Sequence, residues 1–512
     1  PLGQGFGNAV GMAVAEAHLE AVFNRQGLPK PVNHYTYVIA SDGDMMEGLV
    51  YEAASLAGHL GLGKLIVLYD DNKISLAGAT DLCFTEDVDR RFAALGWDTH
   101  HVPDGNDVAK IDSAISGAKA VCDKPSLIRI TTTIGYGSPH KAGSSSAHGA
   151  PLGEGELAAT KKALGWPEEK FYVPQDVREY YENAIPRGRE QQEKWESGLE
   201  EYAAAEPELA GEFIRRIGGK LPENWDNRIP IYTADDKPLP TRKAGEATMN
   251  SIAPDLPELI GGCADLSSST YARLPGMGDF QNPNFAPGND EGFVGGDWGY
   301  SGRNIHFGVR EHAMGAAAVG MALHGGVIPF TGTFFVFSDY MRPPMRLAAL
   351  SGLGTIFVFS HDSIGVGEDG PTHQPIEHLA ALRAIPELAV VRPGDANEAA
   401  EAWRVAIARR DCPTALVFSR QALPILDRER YLSARGTARG GYTLWQSGDG
   451  TPELIIIATG SELHLAAAAV EKLAESYNVR VVSLPCWKLF EPPAAAYRKE
   501  VLPPTVSRRI AV

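Results

Sequence analysis

Short apolar runs closed by glycine, serine or aspartate, each followed by a stretch of helical period, recur along most of this chain. The run at 35–40 predicts a buried strand, Gly43 its turn, 47–60 a helix and 64–69 a second strand, with another expected near Ser126. From about Arg242 the same alternation predicts strands around Ile260, Ile305, Val327, Thr355, Ala389 and Ala415. Asp395 followed by Glu398 reads as a capping box that opens a helix. Strands at 454–458 and 479–484 flank a helix at 462–476 near the end. Strands alternating with helices in this way predict an α/β fold of tandem doubly wound parallel sheets. The expected organisation is a first domain over 1–185, a polar connector over 186–235, a second domain over 236–430, and a partial third α/β domain over 440–512. One strand-helix-strand unit in the last block is too little sheet for a complete domain.

The first strand pair carries chemistry. A magnesium ion on a diphosphate needs hard oxygen donors, a tight turn and few protein ligands, because the phosphates supply others. Asp42, the Asn72 side-chain oxygen and the Ile74 carbonyl answer that need, and the helix after Gly43 points its start at the phosphates. The spacing of Asp42 and Asn72 is that of one strand-turn-helix-strand unit, whose two ends meet at one sheet edge. Asp-Gly turns and Asp-Asn loops also close ordinary strands, so the pattern by itself leaves both readings open.

Composition narrows the class. The 512 residues, 44% of them hydrophobic, are enough for several sizeable cores. A net charge of −17 argues against nonspecific nucleic-acid binding and against an anionic membrane surface, and no apolar run has the length of a membrane span. Any anionic substrate must therefore be held by local cations. The five cysteines are scattered, without the spacing of a metal knuckle or disulfide framework, which points to a reducing cytoplasm. Gly3, Gly5 and Gly7 follow no strand and make a poor dinucleotide fingerprint. His361, His373 and His378 do not share one helix face, and Gly370-Pro371 interrupts them, which disfavours zinc.

Longer motifs carry a resemblance. Pro1-Leu2-Gly3-Gln4-Gly5, Ser41-Asp42-Gly43, Tyr69-Asp70-Asp71-Asn72-Lys73-Ile74, Gly308-Val309-Arg310-Glu311-His312-Ala313-Met314 and the long block from His361 to Pro375 resemble the transketolase family along nearly the whole chain. Family members have a longer N-terminal domain and a full third domain, so the chain, which opens at Pro1, is expected to be clipped at both ends. Ser41 stands where thiamine enzymes often have glycine, Asp44 where many have a small residue, and Ser144-Ser145-Ser146 where a further histidine is common.

What the resemblance implies is specific. A ketose phosphate is cleaved, a two-carbon ketol unit is kept on thiamine diphosphate as an enamine, and an aldose phosphate receives it, as in pentose phosphate metabolism. The implied metal is Mg2+, with Ca2+ or Mn2+ as substitutes, on Asp42, Asn72 and Ile74. Glu311 would share a proton with the cofactor's aminopyrimidine, which requires an apolar or tightly hydrogen-bonded setting. Phe334, Phe337 and Tyr340 would stack on that ring, and Leu2, Gly43, Glu47, Leu76 and His148 would complete the cofactor contacts. Arg242, Ser269, His361 and Arg420 match the phosphate-binding set, while Asp265, Asp369 and His373 would take sugar hydroxyls, with His148 and His373 beside the reacting carbon. A homodimer with the cofactor at the subunit interface is implied, acting on sugar phosphates and not on nucleic acid or membrane.

Three alternatives within the cofactor class remain at this point: dihydroxyacetone synthase, deoxyxylulose-phosphate synthase, and a dehydrogenase's decarboxylating component. The block Gly367-Glu368-Asp369-Gly370-Pro371-Thr372-His373 favours sugar handling, which leaves dihydroxyacetone synthase the hardest to separate. A truncated cofactor-binding chain without turnover is the alternative from another class.

Overall fold

The structure, a computed structural model, describes residues 1–491 and 495–512. It divides into two compact units, Pro1–Ile214 and Arg215–Val512.

The first unit is built on four parallel strands, β1 (Thr36–Ser41), β2 (Leu65–Asp71), β3 (Asp98–Val102) and β4 (Ser126–Thr131), in the order β1-β2-β4-β3. The apolar runs at 35–40 and 64–69 supply the two strands that matter for the site. β2 continues past its apolar run to Asp71 because β1 and β4 pair with it on both sides. β3 had no apolar signature; only Val102 among its residues is fully buried. The turn expected at Gly43 is a short helix, Asp42–Met46, after which Glu47 returns to extended backbone and caps the helix Gly48–Leu60. The stretch after residue 183 is largely helical, as Ala184–Ala205 and Pro207–Ile217.

The second unit opens with β5 (Leu239–Pro240) and holds a seven-stranded parallel sheet: β6 (Leu259–Cys263), β7 (Asp279–Phe280), β8 (Asn304–Ile305), β9 (Ile328–Phe334), β10 (Ile356–Ser360), β11 (Ala389–Val391) and β12 (Thr414–Phe418). Their order is β11-β12-β10-β9-β6-β8-β7, and β13 (Ala422–Leu423) pairs antiparallel with β5. Both faces are covered, so the strands read as continuous apolar runs. Phe330, Phe357, Phe359 and Phe418 are fully buried, each contributing about 2–3 kcal/mol of apolar burial.

A third sheet, β14 (Tyr442–Gln446), β15 (Leu454–Ala458), β16 (Val479–Ser483) and β17 (Arg509–Ala511), has the order β14-β16-β15-β17, with β14 antiparallel to β16. The single strand-helix-strand unit expected here is thus the centre of a four-stranded sheet with its own core around Leu444, Leu463 and Val481. The helix expected over 462–476 spans Leu463–Leu473. No helix among the described residues is long and apolar enough to cross a membrane.

Candidate active site

Open parallel sheets place ligands at the carboxyl ends of their strands, and the candidate residues collect there in both units. In the first unit, β1 and β2 run in register with Ser41 beside Asp70. Asp42 and Asn72 therefore leave the sheet side by side. The Asn72 and Lys73 backbone N–H groups donate to Asp42 Oδ2 at 3.2 and 3.1 Å, and the Tyr69 hydroxyl donates to Asp42 Oδ1 at 2.7 Å. Asn72 Oδ1 in turn accepts from the Ile74 N–H at 3.0 Å. The bridge between Ile74 and Ala79 is closed through Lys73 O and Ser75 N, so the Ile74 carbonyl is not one of its acceptors.

Charge distinguishes the two buried carboxylates here. Asp71 is neutralised by Lys73 at 2.8 Å and Arg129 at 3.1 Å. Asp42 has no ion pair among the described residues; its partners are a phenol and backbone N–H groups. Burial pushes its carboxyl above the usual range, and the charge of Asp71 adds to that even though the Tyr69 bond opposes it. A divalent cation on Asp42 would supply the missing countercharge, and the donor set of carboxylate, amide oxygen and carbonyl suits a hard ion. These residues fit the metal and diphosphate that the sequence implies.

The loop before the first helix is fastened to this turn. Asp44 accepts from the Gly3 N–H at 2.8 Å through Oδ1, and from the Ser41 N–H and hydroxyl, both at 2.8 Å, through Oδ2. The unusual Ser41 and Asp44 are thus a bonded pair. Gly3 has φ 73°, and a Cβ at Gly43 would lie 3.1 Å from Leu2, so both positions are shaped for glycine. Leu2, Asp42, Gly43 and Asn72 come together, with Glu47 against Gly3. Leu76 is exposed, and no hydrogen bond among the described residues links it or His148 to Asp42 or Asn72. The His148 Nδ1 atom is buried without a partner among those residues.

In the second unit, β9, β10 and β12 end in register, Ser360 lying beside both Phe334 and Phe418. His361 follows Ser360 with φ 64° and is buried. Its ring centroid lies 4.0 Å from that of Phe334, and Ser360 Oγ is 2.9 Å from its Nδ1. Phe334 and Phe337 are near-parallel at 6.0 Å, His373 meets both edge-on, and Tyr340 adjoins Phe337 at 6.0 Å with its own ring largely exposed. Glu311, half-buried at the start of the helix Glu311–His324, accepts from Thr333 Oγ1 at 3.3 Å.

Arg242 and Arg420 are clamped by their predecessors. Ser419 N–H donates to Thr241 Oγ1 at 2.7 Å, while Thr241 N–H donates to Ser419 Oγ at 3.1 Å. Arg242 then donates to the Ser269 carbonyl at 2.5 Å and covers the Tyr271 ring, and Arg420 stands 3.6 Å from exposed Glu368. A Cβ at Gly367, φ 79°, would lie 3.1 Å from the Arg420 guanidinium. Burial pulls Arg242 below its ordinary pKa, and Arg420 adds to that. The His361 imidazole is pulled down to about 4 by burial and then by Arg242, against the charge of Asp369, with Arg420 and His373 adding to the fall. Arg242, His361, Asp369, His373 and Arg420 thus form one electrostatic cluster. Its two half-buried guanidinium groups suit a phosphate dianion. Asp265, exposed with φ 58° beyond the end of β6, stands outside the hydrogen bonds of this cluster. His378 faces Asp339 at 3.2 Å and Glu377 at 3.7 Å, and these three are the one group of possible metal-ligating side chains among the described residues.

Sequence reasoning missed Tyr69, Thr333 and Asp44. Tyr69 had a signal: strand residues two apart share a face, so Tyr69 and Asp71 point to one side. Asp44 had one too, since Ser41 and Asp44 stand three apart, the spacing of a capping box, which the structure forms; Thr333 had none.

Three family models cover this chain: the thiamine diphosphate binding domain of transketolase over residues 1–222, its pyrimidine binding domain over 237–425, and a transketolase-like C-terminal domain over 440–512. The transketolase of Nostoc sp. is 53% identical over 517 residues, covering 100% of this chain and 74% of the relative. A transketolase structure from Leishmania mexicana matches with TM-score 0.92 and 43% identity, over 100% of this chain and 73% of that one. The Pichia stipitis transketolase in complex with sedoheptulose 7-phosphate matches with TM-score 0.93 and 43% identity, over 100% and 74% of the two chains.

Proposed function

The chain belongs to the transketolase family and is a thiamine diphosphate-dependent transketolase, and from that premise we propose how its residues divide the work. Residues 1–185 hold the diphosphate and metal, 236–430 the aminopyrimidine, and 440–512 form the third domain, with 186–235 connecting them. When bound, thiamine diphosphate supplies the carbon nucleophile and the electron sink for cleaving a bond beside a carbonyl. Asp42, Asn72 and the Ile74 carbonyl hold Mg2+, or Ca2+ or Mn2+ in its place, while Leu2, Gly43, Glu47, Leu76 and His148 shape the surrounding slot. Glu311 holds a proton at its carboxyl oxygen for the cofactor's ring nitrogen, with Thr333 fixing the carboxyl's orientation. Phe334, Phe337 and Tyr340 offer flat faces and exclude water.

The donor and acceptor are sugar phosphates. Arg242, Ser269, His361 and Arg420 hold the phosphate, and Asp265, Asp369 and His373 orient hydroxyls, His373 and His148 standing nearest the reacting carbon. The observation that carries this reading is the pair of guanidinium groups, Arg242 and Arg420, fastened beside a buried, neutral His361 that lies on Phe334. The working form is a homodimer in which the Asp42 loop of one subunit and Glu311 of the other serve one cofactor, and its compartment is the cytoplasm, where the free cysteines stay reduced.

An acceptor assay tests the reading. With a ketose phosphate as donor, ribose 5-phosphate is the productive acceptor and formaldehyde a poor one. The reverse preference would assign the chain to dihydroxyacetone synthesis, and cofactor binding without transfer to either would make it a binding chain.

A further inference from the structure

His361 has a neighbour whose partners lie elsewhere. Asp362 is buried, and its Oδ2 accepts from Arg392 Nε at 2.8 Å and is ion-paired with Nη2 at the same distance. Arg392 is itself buried at the end of β11, and the rest of its guanidinium reaches residues that belong with the third sheet: Nη1 donates to the Thr459 carbonyl at 3.1 Å and to Glu462, and Nη2 to Ser461 Oγ at 3.2 Å. The main chain closes the same joint, with Gly460 N–H donating to the Arg392 carbonyl and Arg392 N–H to the Pro485 carbonyl. A Cβ at Gly460, φ 59°, would lie 2.5 Å from the guanidinium, so the loop is shaped around this side chain. A few residues on, Glu398 accepts from Gly394 N–H, Tyr442 Oη and Ser483 Oγ, and the His464 ring bonds the Gly394 carbonyl.

We infer that Arg392 and Glu462 are positioning residues through which the third sheet fixes the backbone of His361, and with it the phosphate end of the substrate pocket. The physical reason is the left-handed conformation of His361, unfavourable for a residue with a Cβ and stable only where both flanks are held. On one side the flank is Ser360, locked into β10 between β9 and β12. On the other it is Asp362, locked by Arg392. Without that fork Asp362 becomes an uncompensated buried charge that must move, and His361 moves with it off Phe334. Glu462, whose partners are Arg392 and Ser461, orients the guanidinium from the far side.

The effect on substrate rests on the reading of His361 as a phosphate ligand, so the experiment carries a reference variant. KM and kcat are measured on the holoenzyme for a ketose phosphate and for an unphosphorylated ketose, in His361→Asn, Arg392→Lys and Glu462→Gln, with circular dichroism to verify folding. Glu462→Gln and Arg392→Lys are expected to raise KM for the phosphorylated donor about three- to thirty-fold, with kcat and the unphosphorylated KM within about twofold. If His361→Asn raises that KM and the other two, folded, leave it unchanged, the inference is overturned while the reading of the site stands. If His361→Asn changes nothing, the phosphate reading has failed, and the His361 ring resonance decides the relay by itself: in Glu462→Gln its titration, depressed to about 4 in the parent, climbs toward the ordinary histidine value as the ring leaves its buried seat among Arg242, Asp369, His373 and Arg420. An unchanged titration in both variants overturns the relay.

Discussion

Tyr69 donates its hydroxyl hydrogen to Asp42 Oδ1 across 2.7 Å, and the Tyr69 hydroxyl oxygen stands 3.3 Å from Asp71 Oδ1. Burial and the two carboxylates push the phenol well above its ordinary pKa, so it remains a donor at any working pH. Tyr69→Phe leaves Asp42 Oδ1 buried without its donor. The expected outcome is a loss of about 1–3 kcal/mol in urea denaturation of the metal-free chain. Metal affinity falls by about tenfold, because the oxygen is no longer aimed; a Mg2+ titration followed by cofactor binding checks it.

Glu311 receives a hydrogen bond from Thr333 and opens the helix Glu311–His324, which places its carboxyl at a helix start near the end of β9. If it holds the proton for the cofactor's ring, Glu311→Ala slows exchange of the thiazolium C2 proton by about 10²–10⁴ while cofactor still binds. Exchange at the parental rate would remove Glu311 from the chemistry.

These two sites were legible in the sequence to different depths. The meeting of Asp42 with Asn72 followed from strand spacing alone, and the register of Ser41 with Asp70 explains why it succeeded. The strands β3 and β14 were missed because polar and aromatic residues interrupt their apolar pattern. The capping box at Asp395 is half formed. Asp395 accepts from Glu398 N–H at 2.8 Å, but the Glu398 carboxylate takes the Gly394 N–H, one residue before the cap, and the tertiary partners Tyr442 and Ser483 in place of the Asp395 N–H. No period relates Arg242 to Arg420. Their adjacency depends on the reciprocal Thr241 and Ser419 bonds across 178 residues, so only the family resemblance could pair them.

The proposed sharing of each site between subunits has a quantitative signature. Glu311→Ala and Asp42→Ala chains are each inactive alone, but a randomly mixed dimer has one site with both residues intact and one with neither. Half the dimers in an equal mixture are mixed, so activity returns to about a quarter of the parent. Native mass spectrometry verifies the mixing, and no recovery after verified mixing places both residues in one subunit's site.

The buried imidazole of His361 makes a pH prediction whose direction is fixed by its surroundings. Burial first, and Arg242 next, hold its pKa at about 4, below the ordinary histidine value of 6.5, despite the opposing charge of Asp369. Between those values the folded ring binds fewer protons than the unfolded one, so its contribution is complete above the unfolded pKa and is lost as pH falls toward the folded one. From pH 7 to about 4.5 this removes about 2 kcal/mol of stability. His361→Asn keeps a polar planar group but cannot titrate there. The difference in urea midpoints between parent and variant should therefore narrow or reverse as pH falls, while a difference constant across the window would mean that the ring is not held neutral between the two arginines.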